Sequence, residues 1–104
     1  MIYSKIVYKN NFINSIEVKG HANYNIKGKD IVCAAVSTAV IVTYNALEHL
    51  NLSNMVEHNI SDGYFLIKVL NENEIVDSLL KNLEHTLIEL EKDYKKYMKH
   101  QKEG

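Results

Sequence analysis

Seventeen consecutive residues without a charge, Ile31–Leu47, constrain this chain more than anything else in it. The run is rich in β-branched residues, yet continued to Leu50 it reaches 20 residues, far beyond an ordinary strand. Ala34, Ala35, Ala39 and Ala46 also favour helix. So apolar a helix either spans a membrane or is buried in a core. Ser37, Thr38, Thr43 and Asn45 interrupt the run, and it falls short of the roughly 20 apolar residues a span requires. The buried helix is the better reading. Asp30 stands just before it as an N-cap, because its carboxylate can accept bonds from the first free backbone amides. The helix is apolar nearly all round until Glu48. It therefore calls for cover on most sides, by a sheet on one face and by a second helix or a partner subunit on another.

A sheet is legible on either side of this helix. Ile2–Tyr8 alternates, with Ile2, Ile6 and Tyr8 on one face and Tyr3, Lys5 and Val7 on the other. Lys9-Asn10-Asn11 is a turn, since Asn tolerates the left-handed backbone of tight hairpins. Phe12–Lys19 returns with Ile16 and Val18 on its apolar face, and Gly20–Lys29 is a loop. Val56–Ser61 and Tyr64–Val69 flank Asp62-Gly63, the strongest short hairpin signal in the chain. Asn71-Glu72-Asn73-Glu74 then resembles a capping box with Asn71 as cap. Val76, Leu80, Leu83, Leu87, Leu90, Tyr94 and Tyr97 follow as one apolar stripe of a final helix. The pattern does not fix where that helix ends, so residues 97–101 stay open between helix and strand. The order ββαββα predicts an α+β fold. It is a two-layer sandwich in which a mostly antiparallel sheet from two hairpins carries both helices on one face. Residues 1–104 are read as a single domain, without repeat or linker.

Composition narrows the functional classes. Twelve basic residues stand against 13 acidic ones, for a net charge of -1, and every basic residue is Lys. Phosphate recognition runs on clustered positive charge, so direct nucleic-acid binding is not expected. The single cysteine excludes an internal disulfide and a Cys-based zinc site, and suits a reducing compartment. Met1–Asn10 lacks the apolar run of a signal peptide. A cytoplasmic protein without membrane association is the expectation.

Chemistry concentrates in Gly20-His21-Ala22 and in Gly28-Lys29-Asp30-Ile31-Val32-Cys33-Ala34-Ala35-Val36-Ser37. Cys33 falls in the first helical turn, where outward amides and the macrodipole favour a thiolate. His21 sits where a strand runs out beside that helix start, so its imidazole can reach the sulfur. Cys and His are the minimal pair for nucleophilic acyl transfer, and free amides at a helix start are natural oxyanion donors. Each residue also has an ordinary structural reading. Cys33 can be a small core hydrophobe, His21 a solvated loop residue and Asp30 a cap only. Ser37, one turn beyond Cys33, can bond its own helix backbone, and Gly20 and Gly28 can serve turns. His49, His58, His85 and His100 share no spacing and receive no catalytic role.

Those two stretches resemble the signature of the ribosomal-processing cysteine protease (Prp) family, and the likeness extends from the opening hairpin to the final helix. The resemblance implies a small α/β homodimer. It also implies an endopeptidase that removes a short N-terminal extension from large-subunit ribosomal protein L-twenty-seven. By position it implies Cys33 as nucleophile and His21 as general base, Asp30 and Ser37 as supporting residues, and Gly20 and Gly28 in a mobile loop that admits substrate. No metal or organic cofactor is required. The chain departs from the family at its end, where a Pro and a short strand are common and no Pro is present. The rival reading is a non-catalytic ribosome-associated binding module with Cys33 as a core residue.

Overall fold

Two asparagines shape the first hairpin. Asn10 and Asn11 have φ of 54° and 66°, the paired left-handed backbone that turns one strand directly into the next. The computed structural model describes residues 1–26 and 28–104. Strand β1 (Ile2–Lys9) pairs antiparallel with β2 (Phe12–Gly20). The register shifts after Val7: Val7 faces Ser15 and Tyr8 faces Ile13, so Asn14 is skipped. That bulge turns Ile13 as well as Ile16 and Val18 towards the core, which strict alternation forbids. The Ile13 amide finds its partner at 2.7 Å in the carboxylate of Asp77, a buried charge that Lys81 also pairs at 2.6 Å.

Helix α1 (Ile31–His49) follows, then a short 3₁₀ turn at Ser53–Met55 and the second hairpin, β3 (Val56–Ser61) and β4 (Tyr64–Val69). Both strands run over the residues expected. Helix α2 (Glu74–Asp93) and a fifth strand, β5 (Met98–Glu103), complete the described chain. The sheet order is β3-β4-β2-β1-β5, antiparallel except for the parallel β1–β5 pair. The α+β sandwich is as expected, with one strand more than two hairpins supply.

Strand β5 resolves the open segment. The α2 backbone leaves helical geometry at Tyr94, whose φ is -128°, and Met98 begins to pair with Ile2. Tyr94 and Tyr97 therefore do not continue the helical stripe. They pack edge-on against Tyr24, at 6.0 and 5.1 Å between ring centroids. The gain is pairing for the open edge of β1, whose backbone groups otherwise face solvent. Met98 is buried, Ser4 Oγ meets His100 Nδ1 at 2.7 Å, and the His100 amide donates to Glu91 of α2 at 2.6 Å.

One expectation about the helices needs correction. The cap of α2 is Asn73, not Asn71: its side chain accepts from the amides of Ile75 and Val76 at 2.9 and 3.0 Å. Asn71 is still bound to the exit from β4, since its amide and that of Leu70 both donate to the Met55 carbonyl. Within the single chain, sheet and α2 cover only part of the circumference of α1. By length and composition α1 could cross a membrane. In the fold it buries one stripe, Val32, Val36, Val40, Thr43 and Leu47, against sheet and α2. Ile31, Ile41 and Val42 stay 52%, 42% and 61% exposed.

The position of the cap gives a direct test. Asn73→Ala is expected to lower unfolding free energy by about 1 kcal/mol, the usual loss on removing a cap, while Asn71→Ala changes it by less than about 0.5 kcal/mol. Urea denaturation of the two variants beside the parent measures the difference.

Candidate active site

Asp30 binds the loop to the helix. One carboxylate oxygen accepts from the amides of Val32 and Cys33, both at 3.0 Å, and the other from the amide of Tyr24 at 3.0 Å. Burial pushes the Asp30 carboxyl up, but bonds from the Cys33 backbone, from Tyr24 and Asn25, and from the Cys33 side chain outweigh it. The carboxyl is held below its ordinary value of 3.8. The same bonds occupy two amides that stood as candidate oxyanion donors at the helix start. They are engaged by Asp30.

Cys33 follows as the third residue of α1, partly buried and unpaired. Its Sγ accepts a bond from the Ala22 amide at 3.3 Å, which places the sulfur beside the residue that follows His21. His21 continues from Gly20 at the end of β2, and its carbonyl accepts from the Met1 amino group. At Gly20, with φ of 100°, a side chain would run into the Met1 carbonyl, so only glycine fits where the strand turns into the loop.

The expected residues converge on two adjoining openings. A cleft of about 140 Å³ between α1 and the β3–β4 hairpin holds Gly20, His21, Cys33 and Ser37 over an apolar floor that includes Val36 and Phe65. A second opening shares His21, Cys33 and Ser37 and adds Gly28 and Asp30. Cys33 and His21 thus line one cleft, yet among the described residues no hydrogen bond joins the ring to the sulfur. Ser37 is exposed to the cleft and, unlike Thr43 with Ala39, makes no bond to the helix carbonyl four residues before it. Among the described residues no cluster of three or more metal-ligating side chains occurs. His58 stacks on Tyr44 at 4.3 Å and His100 bonds Ser4, so both have structural partners.

One side of the cleft was not anticipated. Ile60, Ser61, Asp62 and Gly63 form its outer wall. Asp62-Gly63 reads as turn chemistry in the sequence, and no local signal says that the turn folds back over His21. The chemistry open to this arrangement is attack by sulfur on a carbonyl lying in the cleft, with an imidazole to carry the proton.

Residues 1–99 match the family described as cysteine protease Prp. The chain belongs to that family. It is therefore a cysteine protease, and Cys33 is its one cysteine. No curated protein sequence gives a significant match. Among solved structures the chain is similar to the essential ribosomal processing protease Prp from S. aureus with a covalently linked product peptide. The two share 24% identity over 98% of this chain and 99% of that one, with a TM-score of 0.89. The S. aureus protease with a substrate peptide gives 23% identity, 98% and 99% coverage and a TM-score of 0.82. A Streptococcus mutans protein gives 26% identity over 99% and 94% of the two chains, with a TM-score of 0.77.

Asp30 yields a prediction with a definite sign. Its folded-state pKa lies below the unfolded value, so its stabilisation is complete above 3.8 and is lost as pH falls through the folded value. Asp30→Asn keeps an N-cap and is expected to lack this acid-dependent component, whereas Asp30→Ala costs about 1 kcal/mol at neutral pH. Melting temperatures of parent and variants across the acid range measure both effects.

Proposed function

We propose that this protease removes the N-terminal extension of bacterial large-subunit ribosomal protein L-twenty-seven in the cytoplasm, using Cys33 as nucleophile and His21 as general base and acid. The observation that carries the assignment of Cys33 is that a cysteine protease with one cysteine has one candidate nucleophile, and here that residue sits in a cleft shared with a histidine. The ribosomal substrate rests on the resemblance of the Gly20–Ala22 and Gly28–Ser37 stretches, and on the ribosomal processing named for the S. aureus protein.

In the reaction His21 takes the proton from Cys33, and the sulfur attacks the scissile carbonyl carbon to form the C–S bond. The carbonyl oxygen becomes the oxyanion. With the Val32 and Cys33 amides bound to Asp30, the Ser37 hydroxyl is a donor exposed in the cleft for that oxyanion. His21 then gives its proton to the leaving amine, the C–N bond breaks, and water, deprotonated by His21, releases the acyl group from sulfur. The apolar floor suits an uncharged substrate side chain beside the scissile bond. Asp30 supports the helix start, and Gly20 and Gly28 border the loop through which a peptide enters. No metal or organic cofactor takes part. Ile31 and Val42, exposed on one side of α1, support a homodimer.

Purified L-twenty-seven carrying its N-terminal extension is the test substrate. The parent is expected to trim it, Cys33→Ala to leave it intact, and His21→Ala to lower kcat by about 10²–10⁴-fold. Trimming by Cys33→Ala would instead overturn Cys33 as the nucleophile.

A further inference from the structure

We propose that Gly63 is a positioning residue for His21: its bare Cα is the seat against which the imidazole rests. The proposal rests on the Cys33–His21 reading above and adds to it the element that sets where the ring lies. A Cβ placed on Gly63 would lie 2.6 Å from Nε2 of His21, 3.0 Å from Cε1 and 3.3 Å from Cδ2. The ring therefore turns its Nε2 edge to the β3–β4 turn, and any side chain there displaces it.

Two further observations make this a held arrangement. The Gly63 carbonyl accepts the amide of Gly20 at 2.9 Å, so the turn is bonded to the residue that precedes His21. Next to the turn, the Tyr64 hydroxyl donates to Glu17 of β2 at 2.8 Å, tying the turn end of the hairpin to the strand that leads into His21. The backbone of His21 and the seat of its ring are thus fixed by the same hairpin. Gly63 also has φ of 70°, a left-handed conformation that glycine and asparagine enter readily. This separates the two demands on the residue: asparagine meets the backbone demand and violates the seat.

The test is the pH–rate profile of Cys33 alkylation by iodoacetamide, read beside cleavage kinetics. The proteins are the parent, His21→Ala, Gly63→Asn, Gly63→Ala and Asn11→Ala. Asn11→Ala places similar backbone strain, at φ of 66°, in the hairpin away from the cleft. Both Gly63 variants are expected to adopt the alkylation profile of His21→Ala and to lose about 10²-fold in kcat, the scale of a misplaced catalytic group, with KM little changed. Asn11→Ala is expected to keep the parental profile and kcat. A Gly63→Asn protein indistinguishable from the parent, beside a His21→Ala protein that is altered, overturns the seat alone. A parental profile and full cleavage in His21→Ala overturn the dyad and the seat together. Loss of the folded circular dichroism signal in both Gly63 variants also overturns the proposal, since the glycine then serves the fold and not the ring.

Discussion

The site hangs on one carboxylate. Asp30 closes the first turn of α1 with one oxygen and holds the returning loop at Tyr24 with the other. A neutral cap such as serine has a single side-chain oxygen and could not make both attachments at once. Without the pair of bonds, loop and helix start lose their common anchor, and with it the approach of the Ala22 amide to Cys33 Sγ. The arrangement also has a chemical consequence. An acidic residue sits beside the sulfur, and the amides that would stabilise developing negative charge are occupied by it. In the reaction proposed above the proton acceptor is His21, which the fold brings to the same cleft.

The remainder of the fold acts as a frame for that cleft. Helix α2 is attached to the sheet by buried polar contacts as well as by its leucines. Asp77 reaches the Ile13 amide left over by the bulge, Glu84 accepts the Tyr8 hydroxyl, and Glu91 accepts the His100 amide. Burial and the Glu84 carboxylate together hold the Tyr8 hydroxyl well above its ordinary pKa, so the bond keeps its proton throughout the physiological range. Each contact fixes α2 in register against a different strand. Helix α1, lodged between α2 and the second hairpin, can then present its first turn at a constant distance from β2 and β4.

What was legible in the sequence follows the range of the interactions involved. The β3–β4 hairpin and the Asp30 cap are local events, decided by residues within a few positions of one another, and both were readable. The Asn71 cap was misread because Asn73, two positions on, is an equally good cap residue, while the Asn71 amide is taken up by the Met55 carbonyl some 16 positions earlier in the chain. Strand β5 is a long-range event: Met98–Glu103 is mostly polar and pairs with β1 from the far end of the sequence. Nothing in its own residues distinguishes it from a fraying helix. The site divides in the same way. Cys33, His21, Asp30, Ser37, Gly20 and Gly28 were singled out together by the resemblance, and the fold gathers them along two adjoining openings. Gly63 was not, because the reason for a glycine there is the ring of a residue 42 positions away.

The central claim is that the Asp30-capped turn makes Cys33 the nucleophile of this protease. The most direct measurement is covalent trapping. The folded protein is incubated with a chloromethyl ketone built on the ribosomal-protein N-terminal segment, and the adduct is located by mass-spectrometric peptide mapping. The account expects a single adduct on Cys33 Sγ, formed far faster in the parent than in His21→Ala and faster than in the denatured chain. An adduct on another residue, or labelling of Cys33 no faster in the folded protein than in the denatured one, would contradict it.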